Sequence, residues 1–233
     1  RTQGVEVSLG LTPIRKKNFN WTSRVNFYTT NSEITELNVD PFTTGGFALS
    51  LGEFDIQDGK SPTTIVGLDE DGNKVDVGDE TPDFQVSFNN NLSFLRNFEL
   101  SFLLDWKQGG DVINLGRFLS DDGGTSDDLD TPAGQARANG TATSRYIESG
   151  TYLKLRELSL SYSVPQSVVS NIFAGQISYL RFGIAARNLF MITDYQGYDP
   201  EVSQFGNLAV GRSVDVFPFP SSRSFYFNVA FGL

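Results

Sequence analysis

The stretch Ser224-Phe-Tyr-Phe-Asn-Val-Ala-Phe-Gly-Leu233 decides how the rest of the chain is read. Phe225, Phe227, Val229, Phe231 and Leu233 form one face; Ser224, Tyr226, Asn228, Ala230 and Gly232 form the other. Alternation with a period of two marks a strand. One face is apolar throughout and the other is small or polar, the pattern of a strand standing between lipid and a wet lumen. At ~3.3 Å per residue, ~10 residues span ~33 Å, or ~23 Å at a tilt of ~45°, close to the ~25 Å apolar band of an outer-membrane barrel.

The same alternation recurs upstream. Leu180, Phe182, Ile184 and Ala186 oppose Tyr179, Arg181, Ala185 and Arg187 over 177–188. In Thr151–Tyr162, Leu153 and Leu155 share one phase and Leu158, Leu160 and Tyr162 the other, so a bulge is expected near Arg156-Glu157. Phe98, Leu100, Phe102, Leu104 and Trp106 mark another apolar face, with Leu103 an exception on the polar side. Before them, Phe84, Val86, Phe88, Leu92 and Phe94 lead into a turn at Leu95-Arg96-Asn97. Phe19, Trp21, Val25 and Phe27 oppose Thr22, Arg24, Asn26 and Tyr28. The first strand carries Val5, Val7, Leu9 and Leu11, and Pro13 is expected to stop it ahead of a link over 13–18.

The stretches between these strands read differently. In 31–83, Phe47, Leu49 and Leu51 alternate and Phe54 and Ile56 continue out of phase, which reads as a bulge at Gly52-Glu53. Asp69-Glu-Asp-Gly-Asn73 is a turn signal; its acids also invite calcium, but the glycine stands fourth where an EF-hand loop wants it sixth. Residues 108–150 are polar and longer than the ~12–15 residues beyond which a loop is usually functional or disordered. Val112–Leu119 has room for a short helix, and Asp121, Asp122, Asp127, Asp128 and Asp130 read as a solvated, self-repelling segment, with calcium or a lid protein as the competing uses. Pro165–Ala174 is a compact link with room for a helical turn, and 189–222 is a long loop.

Composition excludes several chemistries. The chain has 233 residues, net charge −10 and pI near 4.5, against a nucleic-acid partner, which needs a basic face. With no His and no Cys it lacks the usual general base, the serine-triad relay, the thiolate nucleophile and the commonest metal ligands. No cofactor and no metal site is expected. No apolar run approaches the ~18 residues of a membrane helix. The chain begins at Arg1 close to a strand with no leader peptide, from which upstream sequence is expected to have been removed.

Connections alternate short (13–18, 95–97, 164–175) and long (31–83, 108–150, 189–222), as periplasmic turns and extracellular loops do in outer-membrane barrels. With the last strand running toward the periplasm, the three long segments fall outside. That parity requires 45–57 and 60–68 either both to cross the membrane or neither.

Several ordered motifs resemble the SusC/RagA-like TonB-dependent transporters of the Bacteroidetes outer membrane. They are Tyr146-Ile-Glu-Ser-Gly-Thr-Tyr-Leu-Lys-Leu155, Arg187-Asn-Leu-Phe190, Tyr195-Gln-Gly-Tyr-Asp-Pro-Glu201, Phe217-Pro-Phe-Pro220 with Arg223-Ser-Phe225, Pro82-Asp-Phe84, Trp106-Lys-Gln-Gly-Gly-Asp111 and Gly4-Val-Glu6. Phe217 stands where the family has Tyr, Leu233 where it commonly has an aromatic, and Asp71-Gly-Asn73 is reduced from a longer Asn-Gly-Asp-Gly run. The resemblance implies an all-β, antiparallel transmembrane barrel of roughly 22 strands with an N-terminal plug absent from this chain. Residues 1–233 would then be the C-terminal part of one barrel domain in the cell outer membrane. It further implies TonB-supplied energy reached through the absent N-terminal part, a SusD-like surface lipoprotein, and import of oligosaccharides or peptides.

The expected function is therefore a share in an active outer-membrane transporter, not an enzyme. Phe225, Phe227, Val229, Phe231 and Leu233 are the expected lipid-facing residues of the closing strand. Tyr195, Tyr198, Asp199 and Glu201 are the candidate ligand contacts, since aromatic and acidic groups suit sugar stacking and hydrogen bonding; the competing reading has them folding their own loop. The alternative for the whole chain is a soluble β-sandwich, as a carbohydrate-binding module or a glycosidase with paired carboxylates.

Overall fold

The computed structural model describes residues 1–233. In chain order the strands are β1 (Thr2–Lys16), β2 (Phe19–Ser32), β3 (Phe42–Thr44), β4 (Glu53–Ile56), β5 (Thr64–Leu68), β6 (Lys74–Asp79), β7 (Pro82–Phe94), β8 (Phe98–Gly109), β9 (Asp111–Asn114), β10 (Ile147–Ser149), β11 (Tyr152–Ser163), β12 (Tyr179–Thr193), β13 (Val214–Asp215) and β14 (Ser224–Gly232). The helices are α1 (Leu115–Asp122), α2 (Pro132–Asn139) and α3 (Gln166–Phe173). The seven long strands form one antiparallel meander in the order β1-β2-β7-β8-β11-β12-β14. β1 and β14 are its two edges and do not pair with each other, so the sheet is open.

The register lines up the apolar phases across the whole meander. One row reads Ile14, Trp21, Leu92, Leu100, Leu160, Ile184, Phe227 across all seven strands. Another reads Val7, Phe27, Val86, Trp106, Leu153, Ile192. No second sheet covers this face: Val7 is 51% exposed and Phe227 85%. A β-sandwich would bury it, so the sandwich alternative loses its defining contact. The opposite face is polar, with Gly10, Arg24, Asn89, Leu103, Glu157, Arg187 and Ser224 in one row. Cross-strand bonds stitch it: Ser8 to Asn26 (2.8 Å), Asn26 to Ser87 (3.1 Å), Ser101 with Ser159 (2.6 Å) and the Glu157–Arg187 ion pair (3.0 Å). Asn90 is the one amide in the apolar phase of β7, and the Trp21 indole N–H donates to it at 3.0 Å.

Two expectations are corrected, and one left open is decided. Pro13 does not stop β1: the register shifts between Leu11 and Ile14, and the proline sits in that irregularity, where its missing N–H breaks no ladder bond. The link contracts to Lys17-Asn18. Phe47–Leu51 is not a strand; Leu49–Leu51 is one 3₁₀ turn, and the phase slip reflects Gly52 at φ +99°, which ends the turn and starts β4. Neither 45–57 nor 60–68 joins the meander. Both contribute to a separate four-stranded sheet, β3-β4-β5-β6. The bulge near Arg156 is present: the ladders of β11 to both neighbours shift between Leu155 and Glu157.

The segments joining β2 to β7, β8 to β11 and β12 to β14 emerge from the same end of the meander, opposite the turns at 17–18 and 95–97 and the link carrying α3. They fold together into a cap. Phe54 and Ile65 from the first segment, Ile113 and Leu115 from the second and Val214 from the third form one buried apolar cluster, with Phe118, Ile147, Phe205 and Val216 packed around it. β13 pairs in parallel with β9, and β10 pairs antiparallel with β9, so the second and third segments share a sheet. Thr143 joins the first and second: its Oγ1 accepts from Leu68 N–H at 2.8 Å and donates to Ser50 O at 3.1 Å. The Asp69–Asn73 turn closes β5 to β6, with the Asp69 carboxylate accepting from the N–H groups of Asp71 (3.0 Å) and Asn73 (2.8 Å).

Candidate functional site

Two of the residues proposed from sequence, Asp199 and Glu201, meet where the cap joins the polar face of the meander. The bulge at Arg156 decides this junction. An extra residue there puts Arg156 and Glu157 both on the polar side, opposite the single residue Leu103. Arg156 therefore stands beside Tyr152 and Lys154. Its guanidinium reaches Asp105 (Nε–Oδ2 2.8 Å), Glu201 (Nη1–Oε2 2.7 Å) and the Tyr152 hydroxyl (2.9 Å). Lys154 donates to Asp199 Oδ1 at 2.6 Å and to Glu201. Tyr152, fully buried, donates to Glu201 Oε1 at 2.7 Å.

Burial works against the Glu201 carboxylate, but hydrogen bonds from Arg156, Lys154 and Tyr152 outweigh it and hold its pKa down at about 2. Asp199, also buried, accepts in addition from Ser221 Oγ (2.6 Å) and from Glu201 N–H (2.9 Å). The Tyr195 hydroxyl donates to Asp215 at 2.6 Å, and burial with that bond raises its phenol well above the ordinary range. Gln196 N–H donates to Glu148 Oε2 at 2.8 Å. The structure thus brings Asp199 and Glu201 into one ionic cluster and fastens Tyr195 to the cap. Tyr198 alone of the four projects outward, 79% exposed.

The acidic segment departs from its reading as a solvated, repelling loop. Arg137, on α2, grips Asp121 with Nε–Oδ2 at 2.7 Å and Nη2–Oδ1 at 2.8 Å, and Asp128 with Nη1–Oδ2 at 2.8 Å and Nη2–Oδ1 at 2.7 Å. Arg117 adds Nη2–Asp128 Oδ2 at 3.0 Å and Nη1–Glu148 Oε1 at 3.2 Å. Ser126 and Tyr146 donate to Asp121 at 2.5 and 3.0 Å. The Arg137 bonds pull Asp121 down to about 2 against the cost of burial, and they pull Asp128 down as well. Burial and the Asp121 bond push Tyr146 up to about 12. Fork-to-carboxylate pairing satisfies the charge that composition alone left as repulsion. Asp122, Asp127 and Asp130 stay exposed.

Between α1, this acidic segment and the Gln196–Tyr198 turn lies a cleft of about 440 Å³. Asn114, Arg117, Ser126, Asp127, Gln196, Tyr198 and Phe217 line it, and Asn114 also caps α1 by accepting from Arg117 N–H at 2.9 Å. Gly116 matters here: a Cβ at that position would sit 3.2 Å from the Phe217 ring, which packs against α1. Sequence reasoning passed over Arg137, Arg117, Asp215 and Asp105. Arg156 had a usable signal, because the phase slip at 155–157 marked it as the residue the sheet re-aims.

No protein-family model matches the chain. Among curated proteins it is similar to three TonB-dependent receptors of Formosa agariphila. Receptor P3 is 30% identical over 170 residues, 64% of this chain and 16% of the relative. Receptor P26 is 26% identical across 98% of this chain and 29% of the relative, and receptor P39 is 24% identical across 88% and 28%. The chain spans less than a third of the length of these relatives. Among solved structures the fold matches the RagAB peptide transporter with a TM-score of 0.70 and 22% identity, over 98% of this chain and 29% of that one. It also matches the closed-closed state of the RagAB peptide importer with a TM-score of 0.67 and 21% identity. These relatives are receptors and transporters, not enzymes.

Proposed function

We propose that this chain, a distant homologue of the TonB-dependent receptors, is part of the wall and outer mouth of an outer-membrane importer for oligomeric nutrients. The observation that carries the reading is the seven-strand register: it sets every apolar phase on one uncovered face and every charged row on the other. Lipid is the solvent that makes that arrangement favourable, and closing the sheet into a barrel is what relieves its edges. β1 and β14 then pair with further strands of the full receptor, and β14 presents Phe225, Phe227, Val229, Phe231 and Leu233 to lipid. The cap lies outside the cell and the short turns face the periplasm.

Transport energy comes from the TonB complex, through parts of the receptor beyond this chain. A surface lipoprotein of the SusD kind meets the cap. The cargo is a peptide or a glycan; the RagAB match favours an oligomer taken up with such a partner. Of the candidate ligand contacts, Tyr198 faces the cargo, while Tyr195, Asp199 and Glu201 hold the turn that presents it. The full-length receptor is expected to fractionate with the outer membrane and to migrate faster unheated than boiled on a denaturing gel. Recovery of the full-length protein as a soluble periplasmic species overturns the proposal.

A further inference from the structure

We propose that the end of the meander opposite the cap binds the headgroup phosphate of an anionic phospholipid through Lys16, Lys17 and Arg96. This rests on the importer reading above, which turns that end toward the periplasm, and adds to it a ligand class and a place. Residues 12–20, 93–98 and 162–180 span the three short connections. They hold Arg15, Lys16, Lys17 and Arg96 and no acid, in a chain whose net charge is −10. None of these cations pairs with a carboxylate of the chain, and Glu99, the acid next along β8, is bound to Arg181.

The register sets the depth of these groups. The last row of the uncovered face reads Lys16, Phe19, Phe94, Phe98, Tyr162 and Phe182. Its rings pack together: Phe94 stacks on Phe98 with centroids 5.5 Å apart, and Phe98 meets Tyr162 at 4.7 Å. Aromatics that end an apolar face mark the level where hydrocarbon gives way to headgroups. Lys16 stands in that row, in the phase of the apolar residues, where a lysine is favourable only if its ammonium reaches the headgroups. Arg15 takes the opposite phase, on the polar face.

Two neighbouring turns gather the cations. Leu95 N–H donates to Asn18 O and Arg96 Nε to Asn18 Oδ1, both at 3.2 Å, so the 95–97 turn is tied to the Lys17-Asn18 link. That turn is built against local preference. Leu95 and Arg96 stand at φ +50° and +66°, a pair of positive φ values that tight hairpins ordinarily give to Asn-Gly. Side chains kept at such a backbone cost point to a use for them. Leu95 is 69% exposed, an apolar tip beside three cations, which is the composition of a bilayer boundary. Phosphate accepts hydrogen bonds from ammonium and guanidinium alike. An acidic polymer in the periplasm meets the turn tips only; it has no access to Lys16 in the lipid-facing row and gives Leu95 no apolar partner.

The test is native mass spectrometry of the full-length receptor, delipidated in detergent and titrated with phosphatidylglycerol, phosphatidylcholine, glycerol phosphate and an oligoglutamate. Phosphatidylglycerol is expected to bind tightest. Lys16→Gln, Lys17→Gln and Arg96→Gln should each weaken it roughly fivefold, and Arg15→Gln should leave it unchanged. Leu95→Asn with Arg96→Gly suits the turn better than the native pair, so that receptor should stay folded and still lose affinity for the lipid. Phosphatidylglycerol bound no tighter than phosphatidylcholine, glycerol phosphate or oligoglutamate bound more tightly than it, or an affinity untouched by the three glutamine variants overturns the site and leaves the importer reading standing. A full-length receptor absent from the outer membrane removes both.

Discussion

The meander and the cap solve opposite problems with the same residue types. In the meander, phenylalanine and leucine lie on the uncovered face and arginine, glutamate and asparagine on the opposite one. In the cap, Phe54, Ile65 and Ile113 are fully buried and the charges lie around them. The cap buries its apolar groups and the meander leaves them uncovered, the arrangement that the proposed bilayer setting would favour. The two arrangements meet at a boundary near Asp105, Tyr152, Lys154 and Arg156. The ionic cluster at that boundary joins the two.

The first way to break the comparison is to strip the cap of a charge partner. Arg137→Ala leaves Asp121 buried with only Ser126 and Tyr146 as donors. It should cost about 3–5 kcal/mol, read as faster proteolysis of 115–146 in an assembled receptor whose meander stays protected. Ile113→Ala opens a cavity in the cluster shared by all three segments and should cost about 2–5 kcal/mol, with slower hydrogen exchange lost in the cap and retained in β7, β8 and β11. On the other side, Phe227→Lys should cost about 2–4 kcal/mol in a bilayer if the site lies near its midplane, and Asn228→Lys clearly less. Urea titration of receptor folded into vesicles measures both, and equal costs for the two would contradict the face assignment.

The smallest effect separates the regions by pH. Asp121 and Glu201 titrate near 2 in the folded chain, against ordinary values of 3.8 and 4.5. A lowered carboxylate contributes stability that is complete above its ordinary value and is lost as pH falls toward the folded one. The cap and its junction should therefore loosen between about pH 4.5 and about pH 2, followed by tyrosine fluorescence. The Arg137→Ala receptor should show a shallower loss across that window.

How much was legible differs between the same two regions. The faces of β2, β7, β8, β11, β12 and β14, the turn at 95–97 and the bulge at Arg156 could all be read, because each depends on residues a few positions apart. Pro13 misled, since a proline inside a strand signals an end unless a register shift accommodates it. In the cap, Phe47–Leu51 mimicked a strand and the aspartates of 121–130 mimicked a solvated tail. Nothing local distinguishes Asp121, which is buried against Arg137, from Asp122, which is exposed beside it.

The sequence by itself determined the meander: an alternation of period two states which side each residue takes, whatever the distant chain does. Only the tertiary structure decided the cap. Its core draws Phe54, Ile113 and Val214 from three separate connections, and its bonds reach as far as Ser213 N–H to Glu80, 133 residues apart. Contacts of that separation leave no period to read, and which aspartate finds its arginine is settled only when the three segments are folded over one another.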